Sequence, residues 1–272
     1  MDISIIIVNY NSDKLLFNCI NSIINNIVNI DYEIVVVDNQ SSDNSLNLCK
    51  SICDKRLKII ESSFNLGFSK ANNIGVKNST GKLLHFLNPD TEIDSKFVDD
   101  YLRVIEDSHK NICKVYVNPM RDSNGFVYYG KNFIPESLNY LTYLLNRSRT
   151  KWYYIGATII MSREIFNIIG GWNDRFFMYL EDADIFYRIN EHNISIEELP
   201  TLIFHYGGGT SKNAFSSMER EILIQKSLRI FYKSNNLCGL NYVFFQIMMV
   251  LSFIRKPRRA WWQVRAIINS FK

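Results

Sequence analysis

Ile3-Ser4-Ile5-Ile6-Ile7-Val8-Asn9-Tyr10-Asn11 is the stretch that decides the fold. A near-continuous run of β-branched residues that stops abruptly in polar ones suits a parallel strand buried on both faces. Outward from it, Leu15, Leu16, Cys19, Ile20, Ile23, Ile24 and Ile27 recur at helical spacing and predict a helix from Leu15 to Ile27. Glu33 to Val37 reads as a second buried strand, ending at Asp38-Asn39-Gln40-Ser41-Ser42-Asp43. The alternation continues with a helix from Ser45 to Cys53, a strand from Leu57 to Glu61, a helix from Phe68 to Lys77 and a strand from Leu83 to Leu87. Alternating strands and helices imply βαβ units and a parallel sheet, with ligands bound beyond the carboxyl ends of the strands. The polar stops at Asn9-Tyr10-Asn11, Asp38-Asn39 and Asn88-Pro89-Asp90 therefore share one rim.

Beyond Ile105 the pattern is less regular. Val115 to Val117 and Phe126 to Tyr129 read as short strands, and Ser137 to Leu145 as a helix or a loop. Ile155 to Met161 is an apolar strand, and Arg163 to Ile169 a short helix stopped by Gly170-Gly171. Glu181 to Glu191 reads as a helix, and Ile196 to Leu199 and Leu202 to His205 as strands. No repeat, low-complexity tract or linker divides the body.

The chain has 272 residues, 47% hydrophobic and 21% charged, ordinary for one or two globular domains. This excludes a disordered chain, a collagen-like repeat and a disulfide-stapled mini-protein. No run of about 20 apolar residues marks a membrane span. Met1-Asp2-Ile3-Ser4 lacks the features of a secretory signal. Five cysteines without zinc-ligand spacing suit reduced thiols in a cytoplasmic protein. Net charge is +4, but Ser252 to Lys272 holds six basic residues and no acidic one, which leaves residues 1–251 at −2. A slightly acidic body argues against a nucleic-acid-binding face.

Three clusters are competent for chemistry. Asn88-Pro89-Asp90-Thr91-Glu92 follows a buried strand, where a carboxylate can ligate a hard cation, though the same residues also make a plain turn. Glu181-Asp182-Ala183-Asp184 follows the aromatic stretch Phe176-Phe177-Met178-Tyr179. Apolar neighbours raise a carboxyl toward general-base usefulness, while acidic residues also favour a helix start on electrostatic grounds alone. His205 precedes Tyr206-Gly207-Gly208-Gly209-Thr210, a loop flexible enough to approach a phosphate; a lone histidine is more commonly structural. The usual dinucleotide and P-loop glycine fingerprints are absent.

Taken in order, these stretches resemble family 2 glycosyltransferases. The Ile3–Asn11 and Val35–Asp43 stretches resemble the family's nucleotide-binding start, and Asn65-Leu66-Gly67-Phe68-Ser69-Lys70-Ala71-Asn72-Asn73-Ile74-Gly75 its N-x-G-F-x-x-A-x-N-x-G stretch. Asn88-Pro89-Asp90 occupies the D-x-D position, with Asn for the first Asp. Gly170-Gly171-Trp172-Asn173 with Phe176 to Asp184, and then His205, resemble the rhamnosyltransferase-like branch. The likeness runs over roughly residues 3–235.

The resemblance implies the α/β GT-A fold: a mixed, mostly parallel sheet flanked by helices. It implies a domain over residues 1–235, with a nucleotide-binding half to about residue 104 and an acceptor half from 105 to 235. It also implies an inverting transfer from a dTDP-rhamnose or UDP-sugar donor to a glycan hydroxyl. By family match Asp182 is the base, supported by Glu181 and Asp184. Asp90 and His205 are the ligands of Mn²⁺ or Mg²⁺. Val8, Tyr10, Asp38, Asn65, Phe68, Asn72, Asn88 and Asp90 form the nucleotide pocket, and Gly156-Ala157 leave room beside the donor sugar. Trp172 is the candidate for stacking on the acceptor sugar, or else a core ring. With one carboxylate fewer at Asn88, the cation should arrive mainly on the donor diphosphate. A catalytically silent nucleotide-sugar-binding scaffold is the alternative; a nucleotidyltransferase would need a basic glycine-rich loop that is not seen.

Residues 236–272 read as an amphipathic basic helical tail. Tyr242 to Ile254 is apolar but too short to span, followed by Arg255-Lys256-Pro257-Arg258-Arg259 and Trp261-Trp262. Such a segment suits a helix lying in an anionic membrane interface; packing on the body is the other reading. The resemblance would place the enzyme at the inner face of the cell membrane, peripherally bound, acting on a lipid-linked acceptor in bacterial surface polysaccharide assembly.

Overall fold

The computed structural model describes residues 1–136, 139–141, 145, 150–207, 216–252 and 257–270. The expected helix or loop from Ser137 to Leu145 and the glycines at 208 and 209 fall mostly or wholly outside these residues.

In the first third of the chain, β1 (Ile3–Asn9), α1 (Lys14–Asn26), β2 (Tyr32–Asp38), α2 (Ser45–Lys50), β3 (Leu57–Glu61), α3 (Phe68–Lys77) and β4 (Leu83–Leu87) follow in order. β1 is buried at all seven positions, as its unbroken apolar run requires. α1 buries Leu16, Cys19, Ile20 and Ile23, one face at helical spacing. α2 stops at Lys50, short of the expected Cys53.

Next come β5 (Thr91–Glu92), α4 (Phe97–His109), β6 (Lys114–Val117), β7 (Met120–Arg121), β8 (Val127–Tyr128), β9 (Lys131–Phe133), β10 (Trp152–Tyr154) and β11 (Thr158–Ser162). The chain then forms α5 (Arg163–Ile168), α6 (Glu181–Glu191), β12 (Ser195–Glu198), β13 (Ile203–His205), α7 (Ser217–Ser234), α8 (Gly239–Ser252) and α9 (Pro257–Asn269). β11 begins three residues later than its apolar run. Its antiparallel register ends at Thr158 opposite Leu87, where β4 itself stops; before it the Ala157 carbonyl accepts from the Asn88 N–H, and the Ile155 N–H turns away to the Gly130 carbonyl.

One sheet, ordered β12-β6-β11-β4-β1-β2-β3, runs through both halves. β1, β2, β3 and β4 are mutually parallel neighbours, β12 runs parallel to β6, and β11 is antiparallel to β4 and β6. This is the mixed, mostly parallel sheet expected. A second sheet, β5-β13-β7-β8, carries His205 to the same rim as Asp90.

Candidate active site

A cleft of about 290 Å³ opens at the carboxyl ends of β1, β2 and β4. Val8 and Tyr10 line it from β1, Asn39 from β2, and Asn88, Pro89 and Asp90 from β4. The three polar stops do share one rim. Hydrogen bonds join the first two: Asn9 donates its side-chain amide to Asp38 Oδ1 at 2.7 Å, and the Asn39 backbone N–H donates to the Asn9 carbonyl.

The loop before α3 forms the next wall. Asn39 donates its amide to Asn65 Oδ1 at 2.8 Å, and Asn65 Oδ1 also accepts from the Gly67 N–H. Gly67 sits at φ +81°, and a Cβ there would stand 2.5 Å from the Phe177 carbonyl oxygen. That close approach lets the Phe68 N–H donate to the same carbonyl at 2.8 Å. The start of α3 thus grips the loop that leads into α6.

This loop carries the acidic cluster. Tyr179 and Leu180 both adopt positive φ, 69° and 62°, a conformation costly for residues with side chains. The double left-handed step ends directly at Glu181 and Asp182, the first residues of α6, which face the cleft. The Ala183 N–H donates to Asp182 Oδ1 at 2.8 Å. Burial raises the pKa of both carboxyls, most for Glu181, where the neighbouring Asp182 charge adds to the effect. Glu181 Oε2 is buried without a hydrogen-bond partner among the described residues.

On the opposite rim, His205 Nε2 lies 3.3 Å from Asp90 Oδ1, and both side chains are buried and border the cleft. Tyr128 Oη lies 2.7 Å from His205 Nδ1 and fixes the ring with Nε2 toward Asp90. Imidazole and carboxylate are suitable donors for a divalent cation. Among the described residues no third His, Cys, Asp or Glu joins them. The pair fits a cation whose remaining ligands come from a diphosphate and water, not one caged by protein alone.

Val8, Tyr10, Asn65, Phe68, Asn88, Asp90, Glu181, Asp182 and His205 therefore meet in one cleft. Four candidates lie behind its walls. Trp172 is not a platform for an acceptor sugar: its ring is 2% exposed and packs edge-on against Phe68 and Phe86. Asp184 is fully buried, where Oδ2 accepts from Arg188 Nε and Nη2 and Oδ1 from Asn235, so it has no free oxygen for an acceptor. Asp38 spends Oδ1 on Asn9 and Oδ2 on the Ser41 N–H. Asn72 is buried in α3 and donates to the Phe68 carbonyl. Asn39 and Gly67 also line the cleft and Tyr128 positions His205, three site residues beyond those expected from the sequence. Gly67 and Asn39 stood inside recognised stretches, whereas nothing local to Tyr128 points to His205, 77 residues away.

A mixed, mostly parallel sheet flanked by helices, with acidic side chains clustered over its carboxyl edge, is the GT-A architecture. The family model Glycosyl transferase family 2 matches residues 4–170. The chain belongs to this family.

Among its relatives, the low-salt glycan biosynthesis hexosyltransferase Agl10 of Haloferax volcanii is 28% identical over 207 residues, 72% of this chain and 64% of that protein. The glycosyltransferase GlyG of Streptococcus pneumoniae is 24% identical over 233 residues, 81% of this chain and 77% of that protein. The chain thus spans less than two thirds of the first of these relatives. The crystal structure of S. aureus TarS 1–349 with UDP-GlcNAc is similar in fold, with TM-score 0.61 and 18% identity over 98% of this chain and 79% of that one. Its UDP complex gives TM-score 0.58 and 18% identity over 86% and 72%.

Proposed function

We propose that this chain is an inverting, metal-dependent glycosyltransferase that moves a sugar from a nucleotide diphosphate to a glycan hydroxyl. The observation that carries this reading is the cleft itself, which faces Asp182 and Glu181 on one wall with Asp90 and His205 on the other. Residues to about 104 would hold the donor, residues 105–235 the acceptor, and 236–272 form a separate tail. UDP-sugars are the first donors to test, because similar folds are known in complex with UDP and UDP-GlcNAc. dTDP-rhamnose is second, on the branch resemblance.

Asp182 accepts the proton of the acceptor hydroxyl as its oxygen attacks the anomeric carbon. The bond from that carbon to the diphosphate oxygen breaks on the opposite face, and the nucleotide diphosphate leaves with the electron pair. Burial, with the Asp182 charge beside it, raises the pKa of the Glu181 carboxyl as well and so limits the negative charge next to the base. Asp90 and His205 would hold Mn²⁺ or Mg²⁺, which when bound neutralises charge on the leaving diphosphate. Tyr10, Asn39, Asn65 and Phe68 line the remainder of the donor's side.

The acceptor is read as a glycan carried on lipid in surface polysaccharide assembly, with the enzyme peripheral to the inner face of the membrane. The relatives' names support the polysaccharide setting, and no helix among the described residues is long and apolar enough to cross a bilayer.

The test pairs ligand-induced melting shifts with transfer assays. UDP or dTDP should raise the melting temperature, and Mn²⁺ or Mg²⁺ should enlarge the shift. Asp182→Asn should keep the shift and lose transfer by about 10²-fold or more. Undiminished transfer by Asp182→Asn would remove it as the base. Donor binding without turnover in the parent chain would favour the silent scaffold.

A further inference from the structure

The last two helices leave apolar faces in solvent. In α8, Leu240, Val243, Phe244, Ile247 and Leu251 recur at the spacing of one helical face, and all are 50–78% exposed. The opposite side of α8 turns Phe245 and Gln246 into the protein. In α9, Trp261, Trp262, Val264 and Ile268 are 41–62% exposed, while Ala266 and Ser270 are buried.

The inner face of α8 packs Tyr242, Phe245, Met248 and Met249 against Leu228, Phe231 and Tyr232 of α7, and polar contacts add to this and hold α9. Gln246 donates to Gln225 Oε1 at 2.6 Å, Gln225 donates to Gln263 Oε1 at 3.2 Å, and Arg229 of α7 donates to Ser270 Oγ at 2.9 Å. A helix on a globular body normally turns its apolar stripe inward. Here α8 already has an apolar inner face, yet a second stripe of aromatic and aliphatic side chains stays outside on α8 and α9, which marks a surface built for something other than water.

Charge and length select the occupant. From Gly239 to Lys272 the sequence has no Asp or Glu, and Ser252 to Lys272 adds six basic residues. A second copy docked face to face would bring the same positive charge against itself. The described helices have 14 and 13 residues, about 20 Å each at 1.5 Å per residue, too short for a hydrocarbon core of about 30 Å. Arg265 lies 5.6 Å from the centre of the Trp261 ring, so an exposed cation accompanies an exposed indole, as at a headgroup boundary.

We propose that the outward faces of α8 and α9 seat the protein on an anionic lipid bilayer, lying in its interface and not crossing it. The surface rests on these two helices alone and stands whatever the sugar or acceptor.

Sedimentation of the full chain with vesicles of phosphatidylcholine containing phosphatidylglycerol tests it. Binding should exceed that to pure phosphatidylcholine by about tenfold or more and fall with added salt, since each basic side chain near an anionic surface is worth roughly fivefold. Brominated lipids should quench the fluorescence of exposed Trp261 and Trp262. The combined variant Phe244→Ser, Ile247→Ser, Trp261→Ser, Trp262→Ser should lose vesicle binding by about tenfold or more while keeping its circular dichroism and melting cooperativity. The UDP-induced melting shift, measured on the same variant, reports the transferase reading separately. Undiminished vesicle binding by this variant would overturn the proposal. So would equal binding to neutral and anionic vesicles. A lipid-free dimer that these substitutions split, with no vesicle binding by the parent, would assign the face to a second copy instead.

Discussion

The acid pair at Glu181 and Asp182 shows how one residue's chemistry is set by its surroundings. Both carboxyls lose hydration where α6 begins, which favours the neutral form and raises both pKa values. The base must be ionised to accept a proton, so transfer should rise with pH through a limb lying above the ordinary Asp range near 3.9. A kcat/KM profile that is already flat above pH 5 would show that the catalytic carboxyl is not held in this setting. Asp184, three residues into the same helix, has a different task. It compensates Arg188, whose Nη1 donates to the carbonyls of Ile169 and Gly171, and so fastens α6 to the glycine turn beneath it. Asp184→Ala should cost about 3 kcal/mol of stability by leaving the guanidinium unpaired. It should lower the melting temperature without moving the acid limb of the pH profile, which separates a positioning residue from a base.

At the scale of elements, the strands and helices of the first third were legible because apolar period and polar stop agree there. β1, β2 and β4 end where their sequences turn polar, and those ends build the rim. α4 was not legible: Phe97, Tyr101 and Val104 face the core, but Asp100 is buried among them, accepting from the Asn118 amide at 2.7 Å. A carboxylate on the apolar face hides the period, and its partner is remote in sequence. Trp172 stays ambiguous in sequence because an aromatic beside a catalytic motif reads alike as platform or core; the contacts with Phe68 and Phe86 that decide for core come from other elements. The junction of α3 with the 176–180 loop depends on a glycine for a similar long-range reason. Gly67→Ala would drive a methyl into the Phe177 backbone and force a residue with a side chain into φ +81°. It should lower kcat/KM by about tenfold or more, since misplacing a catalytic group by about 1 Å is worth about 10²-fold. Parent-like kinetics of Gly67→Ala would show that the grip of α3 does not position Glu181 and Asp182.

For the whole molecule, one continuous sheet couples the cleft to global stability, so protons bound at the site are read out in unfolding. Glu181 and Asp182 have raised pKa values in the fold, so the folded state binds more protons than the unfolded one above the ordinary carboxylate range. Their contribution is therefore fully present below about pH 4 and is lost as pH rises through the raised values. The site is least tolerated by the fold where both carboxylates are charged, and ionising Asp182 for its role as base already takes the fold part of the way there. Glu181→Gln removes the more strongly raised carboxyl and its repulsion of Asp182. The variant should melt several degrees above the parent at pH 8 and together with it at pH 4, while transferring sugar more slowly. Melting curves taken across that range decide the point. A variant less stable than the parent at pH 8 would mean that Glu181 makes a favourable charged interaction in the fold, contrary to the desolvated pair described above.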